Sequence, residues 1–217
     1  MEEEGVIKFD LHFTESAPLT VASLEELIHW RGLLWAQGLI GQDPQRYGGY
    51  GFGNVSQRVP GVLQPDNDMT FIISGSQTGH LQVLTGEHFA IVSSCDAYSN
   101  RVEAQGPIRP SSESLTHGMV YRQSENINVV LHVHSPDIWL AADALHLPVT
   151  NAAVAYGTPA MAQEVDRLFR ETNVAQQKIF SMGGHEDGIV AFGYSASEAG
   201  AILIHALSQC RERPEQG

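Results

Sequence analysis

Cysteine is nearly absent from this 217-residue chain, where Cys95 and Cys210 stand at unrelated positions and support neither a disulfide framework nor a thiolate metal cluster. That scarcity fits a reducing compartment. Lysine is equally rare, and neither Lys8 nor Lys178 has a setting that would make it an amine nucleophile, so Schiff-base chemistry has no support. Cationic residues as a class are short. Twelve Lys and Arg face 25 Asp and Glu, a net charge of −13, and a field of that sign opposes nucleic acid and anionic membranes as partners. No apolar run of about 18 residues occurs, and the start Met1-Glu2-Glu3-Glu4 is acidic where a secretory leader would be basic and then apolar. A soluble, cytoplasmic protein with a small-molecule substrate is expected. An anionic substrate would need a local pocket of N–H groups, hydroxyls and metal charge to overcome the global field.

What is present begins with His132-Val133-His134, which closes the apolar run Val129-Val130-Leu131. In a strand, residues two apart share a face, so both imidazoles point together while Leu131 and Val133 turn the other way into packing. Two nitrogen donors at that spacing suit one divalent ion, and a catalytic zinc site commonly adds a third protein ligand. The third ligand chosen is His185, in the glycine-bounded turn Met182-Gly183-Gly184-His185-Glu186-Asp187-Gly188 between two strand-like runs; His88, His117 and His146 compete. The length and a hydrophobic content of 42% fit one large domain.

Two glycine-bearing segments can curl backbone N–H groups around an anion: residues 48–58, in which Asn54, Ser56 and Arg58 would add donors, and Ser74-Gly75-Ser76-Gln77-Thr78-Gly79. The first has no P-loop ending. A third anion-binding element is Ser111-Ser112-Glu113 at a helix start, where paired serines cap free N–H groups or meet a phosphate. His117, four residues beyond Glu113, shares its helical face and could orient it or serve as a spare ligand.

Elsewhere, residues 7–13 alternate as a strand or docking arm. A helix is predicted from Thr20, with Ser23 and Glu26 as a capping box and a stop by Gly41-Gln42-Asp43-Pro44. Helices are also predicted over 137–144 and 158–170, and Ser195 and Glu198 have capping-box spacing before a last helix ending near Cys210.

Taken in order, Gly53-Asn54-Val55-Ser56, Ile73-Ser74-Gly75, Ser111-Ser112-Glu113 with His117 and Tyr121, His132-Val133-His134-Ser135, and His185 before Gly188-Ile189-Val190 resemble the class II aldolase and adducin family. The match runs from about residue 24 to 207. The resemblance implies an α/β fold, a three-layer α/β/α sandwich around a central, largely antiparallel sheet, with residues 1–23 as an N-terminal extension packed on a 24–217 domain. It also implies a homotetramer. His132, His134 and His185 would hold Zn2+ or another divalent transition metal, and Glu113 would be the catalytic acid/base. Asn54, Ser74, Gly75, Ser111 and Ser112 would cradle a substrate phosphate.

The implied activity is a metal-dependent aldolase acting on a phosphorylated ketose or similar hydroxy-carbonyl compound through a metal-stabilised enediolate. A sugar-phosphate dehydratase or epimerase and a non-catalytic adducin-like interaction domain are the alternatives, with a zinc hydrolase ranked below them. One departure bears on the choice. The segment after His134 is shortened at Leu147-Pro148-Val149-Thr150-Asn151, where family aldolases carry a proton-donating tyrosine, and Tyr156 does not stand in its place.

Overall fold

The computed structural model describes residues 5–59 and 70–212; the acidic start, residues 1–4, and the end of the chain lie outside them. Among the described residues ten strands and six α-helices follow in order: β1 (Asp10–Glu15), α1 (Glu25–Ala36), β2 (Gly41–Gln42), β3 (Gly51–Phe52), β4 (Asn54–Arg58), β5 (Phe71–Ser74), β6 (Phe89–Asp96), β7 (Arg101–Gly106), α2 (Ser114–Arg122), β8 (Val129–His134), α3 (Pro136–Leu140), α4 (Pro159–Glu171), α5 (Val174–Gln177), β9 (Ile179–Ser181), β10 (Gly188–Gly193) and α6 (Ala196–Glu212). Eight strands form one sheet in the order β1-β7-β6-β5-β4-β8-β10-β9, and β2 and β3 form a separate hairpin. Within the large sheet only β1 and β7 run parallel; every other neighbouring pair is antiparallel. Among the described residues no helix is long and apolar enough to cross a membrane.

Strand alternation divides the core in two. From β8 and β10, Val130, Val190 and Phe192 join Leu115, Met119 and Val120 of α2 and Met161, Val165 and Leu168 of α4. The intervening residues Leu131, Val133, Ile189 and Ala191 join Leu27 and Leu34 of α1, Ile138 of α3, and Leu203 and Leu207 of α6 in a second cluster. Each fully buried Leu, Ile or Val contributes roughly 1.5–3 kcal/mol, so the register of β8 is fixed from both sides. A slip of one residue would turn its histidines into the second cluster.

Local signals account for the helix ends. Thr158 caps α4 by accepting from the Met161 N–H at 3.2 Å, with Pro159 at the first helical position. Ser195 accepts from the Glu198 N–H at 3.2 Å at the start of α6, and Glu198 reaches the Tyr194 N–H and pairs with Lys178. The Ser23–Glu26 capping box expected at α1 is not formed. Ser23 belongs to a short 3-10 turn and Leu24 takes the N-cap position of α1, so the Ser23 hydroxyl does not stand at the cap, while the Glu26 carboxylate accepts from the Ser197 N–H. α1 also stops before Gly41. Gly38, at φ +73°, reverses the chain in a Schellman turn, with Gly38 N–H bonded to Trp35 C=O and Leu39 N–H to Leu34 C=O.

The N-terminal strand is part of the sheet. β1 pairs in register with β7 from Asp10 opposite Arg101 to Glu15 opposite Gly106, and the buried Phe9 joins the first cluster.

Candidate metal centre

β8 sits between β4 and β10, with Asn54 and Val190 flanking His132 and Gly188 opposite His134. His132 and His134 therefore leave the sheet on the face of Val130, as the period of two requires. His185 precedes β10 in a turn closed by His185 N–H to Met182 C=O at 3.1 Å and Gly188 N–H to His185 C=O at 2.9 Å. Its two glycines allow close packing on residues 150–154. A Cβ at Gly184 would overlap the Val154 carbonyl oxygen, and one at Gly183 would overlap that of Thr150.

The three imidazoles converge. His134 Nε2 stands 3.2 Å from His132 Nε2 and 2.9 Å from His185 Nε2, all three side chains are buried, and together they are a donor set able to hold one ion. Tetrahedral zinc with Zn–N bonds of about 2.0–2.1 Å sets ligand nitrogens roughly 3.3 Å apart, close to the two separations from His134, and all three ligand nitrogens lie within 4.8 Å of one another. Protonation agrees. Burial lowers His132 to about 4 against a backbone hydrogen bond at Ile189 that raises it. His134 is held well below the usual histidine range by burial and then by His185, His132 and Arg46; His185 is lowered by burial, His132 and Lys8. Neutral imidazole is the form that binds metal.

Glu113, 1% exposed, precedes α2 and places Oε1 3.6 Å from His185 Nδ1, while Oε2 accepts a hydrogen bond from Thr116 at 2.8 Å. At 3.6 Å the contact with His185 is electrostatic rather than a hydrogen bond. A carboxylate beside Nδ1 favours the tautomer that leaves the Nε2 lone pair facing the other histidines.

Next to this centre lies a small, partly open recess lined by Asn54, Gly75, Ser76, Gln77, Gly79, Ser111 and Ser112 and by Gly5 from the N-terminal segment. Asn54, Gly75, Ser111 and Ser112 are thus brought together. Ser74 ends β5, where its hydroxyl accepts from the Val55 N–H at 3.1 Å. The paired serines do not cap α2, which begins at Ser114; Ser111 instead accepts from the Glu113 N–H at 3.2 Å and fixes the turn before the helix.

Other expected donors lie elsewhere. Ser56 and Arg58 belong to a strand rather than a loop. The buried Ser56 hydroxyl is 2.7 Å from both His117 Nδ1 and the Tyr121 hydroxyl, and Arg58 donates to the carbonyls of Tyr121, Ser124 and Ile127. His117 is fully buried and held well below the usual histidine range by burial and His132. His88 accepts from the Thr85 N–H in its own 3-10 turn, and His146 sits at φ +54°; neither joins the three-histidine set.

One group at the centre was not anticipated from the sequence. Tyr47 stacks edge-on against His134, with ring centroids 4.5 Å apart, and donates to Asp187 Oδ2 at 2.6 Å, where Arg46 also pairs. Burial and Asp187 push the Tyr47 phenol up. Tyr47 has φ +51° and Asp187 φ +61°, both unusual for residues with side chains. The composition Tyr47-Gly48-Gly49-Tyr50 is the available signal, and by itself it marks only a glycine-rich loop.

Residues 44–212 match the sequence profile of the Class II Aldolase and Adducin N-terminal domain. No curated protein sequence matches the chain. Among solved structures, an L-fuculose 1-phosphate aldolase superposes with a TM-score of 0.61 at 18% identity, over 89% of this chain and 84% of that one. YgbL of Klebsiella pneumoniae, described as a putative aldolase, epimerase or decarboxylase, gives 0.61 at 19% identity over 89% of each chain. The L-fuculose-1-phosphate aldolase of Thermus thermophilus gives 0.58 at 21% identity over 88% of this chain and 94% of that one. At these identities the superpositions speak for the fold.

Proposed function

The chain belongs to the class II aldolase and adducin family, and from that premise we propose that it is a divalent-metal-dependent lyase that cleaves a phosphorylated ketose or a similar small hydroxy-carbonyl compound. The observation that carries this reading is the convergence of three neutral histidine nitrogens beside a buried carboxylate, Glu113. A non-catalytic interaction module has no need of that set. The helices on the two sides of the sheet are read as the outer layers of a three-layer α/β/α sandwich, residues 1–23 as an extension of the 24–217 domain, and the protein as a cytoplasmic homotetramer.

His132, His134 and His185 would hold zinc or a similar transition metal, which when bound supplies a Lewis acid for a carbonyl and its adjacent hydroxyl. Glu113 moves the proton that accompanies bond cleavage, its carboxylate steadied through Oε2 by Thr116. Asn54, Ser74, Gly75, Ser111 and Ser112 bind the phosphate with neutral donors, and Ser74 still has its own O–H to give. Holding that remote group orients the reacting carbons and lowers the barrier through position.

The test is metal analysis of purified protein followed by a coupled screen for aldehyde release from phosphorylated ketoses. The expected result is about one metal ion per chain and cleavage abolished by chelator. Substrate consumed without aldehyde would move the assignment to a dehydratase or epimerase, and cleavage indifferent to chelator would overturn it.

A further inference from the structure

His134 and His185 come from different elements, the end of β8 and the turn before β10, and one cluster outside the large sheet touches both. Tyr47, in the loop between β2 and β3, lays its ring edge-on against the His134 imidazole, with centroids 4.5 Å apart. Its hydroxyl donates to Asp187 Oδ2 at 2.6 Å, two residues beyond His185. Arg46 donates to the Tyr47 hydroxyl at 2.6 Å and pairs with the same Asp187 oxygen. Phe52 of β3 completes the cluster, its ring centroid 5.0 Å from that of Tyr47 and 5.3 Å from that of His134.

Both residues that meet here have strained backbones. Asp187 is the third residue of the turn closed by the Gly188 N–H and the His185 carbonyl, at φ +61°, where glycine would sit without strain. Tyr47 takes φ +51° although Gly48 and Gly49 follow it. Two left-handed residues that keep their side chains thus join those side chains to each other. Asp187 is buried, and a buried carboxylate depends on its donors. Its carbonyl accepts from the Ser135 N–H at 2.8 Å. The residue is therefore tied through its backbone to the end of β8 and through its side chain to the ring that packs on His134.

We propose that Tyr47 is a positioning residue of the metal centre: its hydroxyl, clamped by Asp187 and Arg46, fixes the His134 ring relative to the turn that carries His185 and so sets the separation of two ligand nitrogens. The ring of Tyr47 packs on His134 alone; only the hydroxyl couples that packing to His185. Partners of this kind orient ligands before an ion arrives, and losing one weakens metal binding by about 10–100-fold. The inference rests on the reading that His132, His134 and His185 hold one ion, and it is independent of the reaction that ion serves.

Zinc is the probe, its affinity measured by competition with a chromophoric chelator on wild type, Tyr47→Phe, Asp187→Gly and the double variant. The visible spectrum of the cobalt(II)-loaded proteins gives a second readout, of ligand geometry. Tyr47→Phe keeps a ring against His134 and Phe52, and glycine suits the φ of Asp187, so the metal-free variants should keep the far-ultraviolet spectrum of wild type. The expected result is zinc bound about tenfold or more weakly by each single variant, with an altered cobalt spectrum. The double variant should lie within about twofold of Asp187→Gly, because hydroxyl and carboxylate act as one unit. Zinc affinity in Tyr47→Phe within about twofold of wild type overturns the role of Tyr47 and leaves the metal centre standing. Losses that multiply in the double variant overturn it too, since the two residues would then act independently. A wild type that binds no zinc removes the metal centre itself, and this inference with it.

Discussion

His134 and His185 lie 51 positions apart in the chain, yet their Nε2 atoms are 2.9 Å from one another. Two neutral imidazoles that meet nitrogen to nitrogen can share at most one proton, and His132 Nε2 brings a third nitrogen to the same point at 3.2 Å from His134. A cation satisfies all three.

Removing one ligand should therefore weaken metal binding without unfolding the sheet. His185→Ala leaves β8 and β10 paired, because His185 lies in the turn before β10. Zinc content after dialysis against a weak chelator is expected to fall from about one per chain to near zero, while the far-ultraviolet spectrum is retained. Full retention of zinc would exclude His185 from the site.

Glu113→Gln separates metal binding from proton transfer. Gln is nearly isosteric, and its amide oxygen can still accept from Thr116, so the turn before α2 should persist. Metal content should stay at the wild-type level while turnover falls by about 10²–10⁴-fold, the usual contribution of a positioned acid/base. Unchanged turnover would remove Glu113 from the chemistry.

The parts of the site that were legible in the sequence are those governed by short-range spacing. A period of two places His132 and His134 on one face, whereas His185 is a choice from a glycine-bounded turn with His88, His117 and His146 competing, and it is His185 that the structure brings beside the other two. Resemblance, rather than spacing, joined these to Glu113 and the serines. What escaped was tertiary. Tyr47 meets His134 only because its backbone takes up φ +51° and the loop folds onto Asp187, 140 positions later. Ser23 and Glu26 have the spacing of a cap, but Ser23 is drawn into a 3-10 turn, Leu24 stands at the N-cap, and the Glu26 carboxylate accepts from the Ser197 N–H. Arg31, a charged residue of α1, is 2% exposed because its guanidinium meets backbone carbonyls about 50 positions further along the chain.

Arg31 yields a prediction of its own. Its guanidinium donates to the carbonyls of Thr78, Gly79, Leu81 and Gln82, tying α1 to the segment that includes the pocket residue Gly79. Burial lowers it to about 10, still charged at neutral pH. In Arg31→Met the stem is replaced but the carbonyls lose their donors, at about 1–3 kcal/mol for a buried group left unpaired. A loss of roughly 2–4 kcal/mol in urea unfolding is expected on that scale, together with a raised KM for any phosphorylated substrate because Gly79 is no longer held. A stability change below about 0.5 kcal/mol, the range of an ordinary surface substitution, would show that water or rearranged backbone replaces the guanidinium.

Acid should destabilise the metal-free protein over a defined window. An unfolded histidine titrates near ~6.5, whereas burial holds folded His132 to about 4 and lowers His117, His134 and His185 as well. Above pH ~6.5 neither state binds these protons, and the contribution to stability is constant. Between ~6.5 and ~4 the unfolded chain takes up protons that the folded chain excludes, so stability falls as pH falls, by about 1.4 kcal/mol per pH unit for each such histidine. The urea midpoint of chelator-treated protein should stay level above about pH 7 and drop steeply from about pH 6.5 towards 4.5, and His132→Gln should flatten part of that slope because Gln has no proton to gain. Saturating zinc opposes the drop at the upper end of the window, since binding to the folded state alone adds stability. A midpoint independent of pH across this range would mean that the histidines are already charged or solvated in the folded chain, and the neutral donor set required for metal binding would not exist.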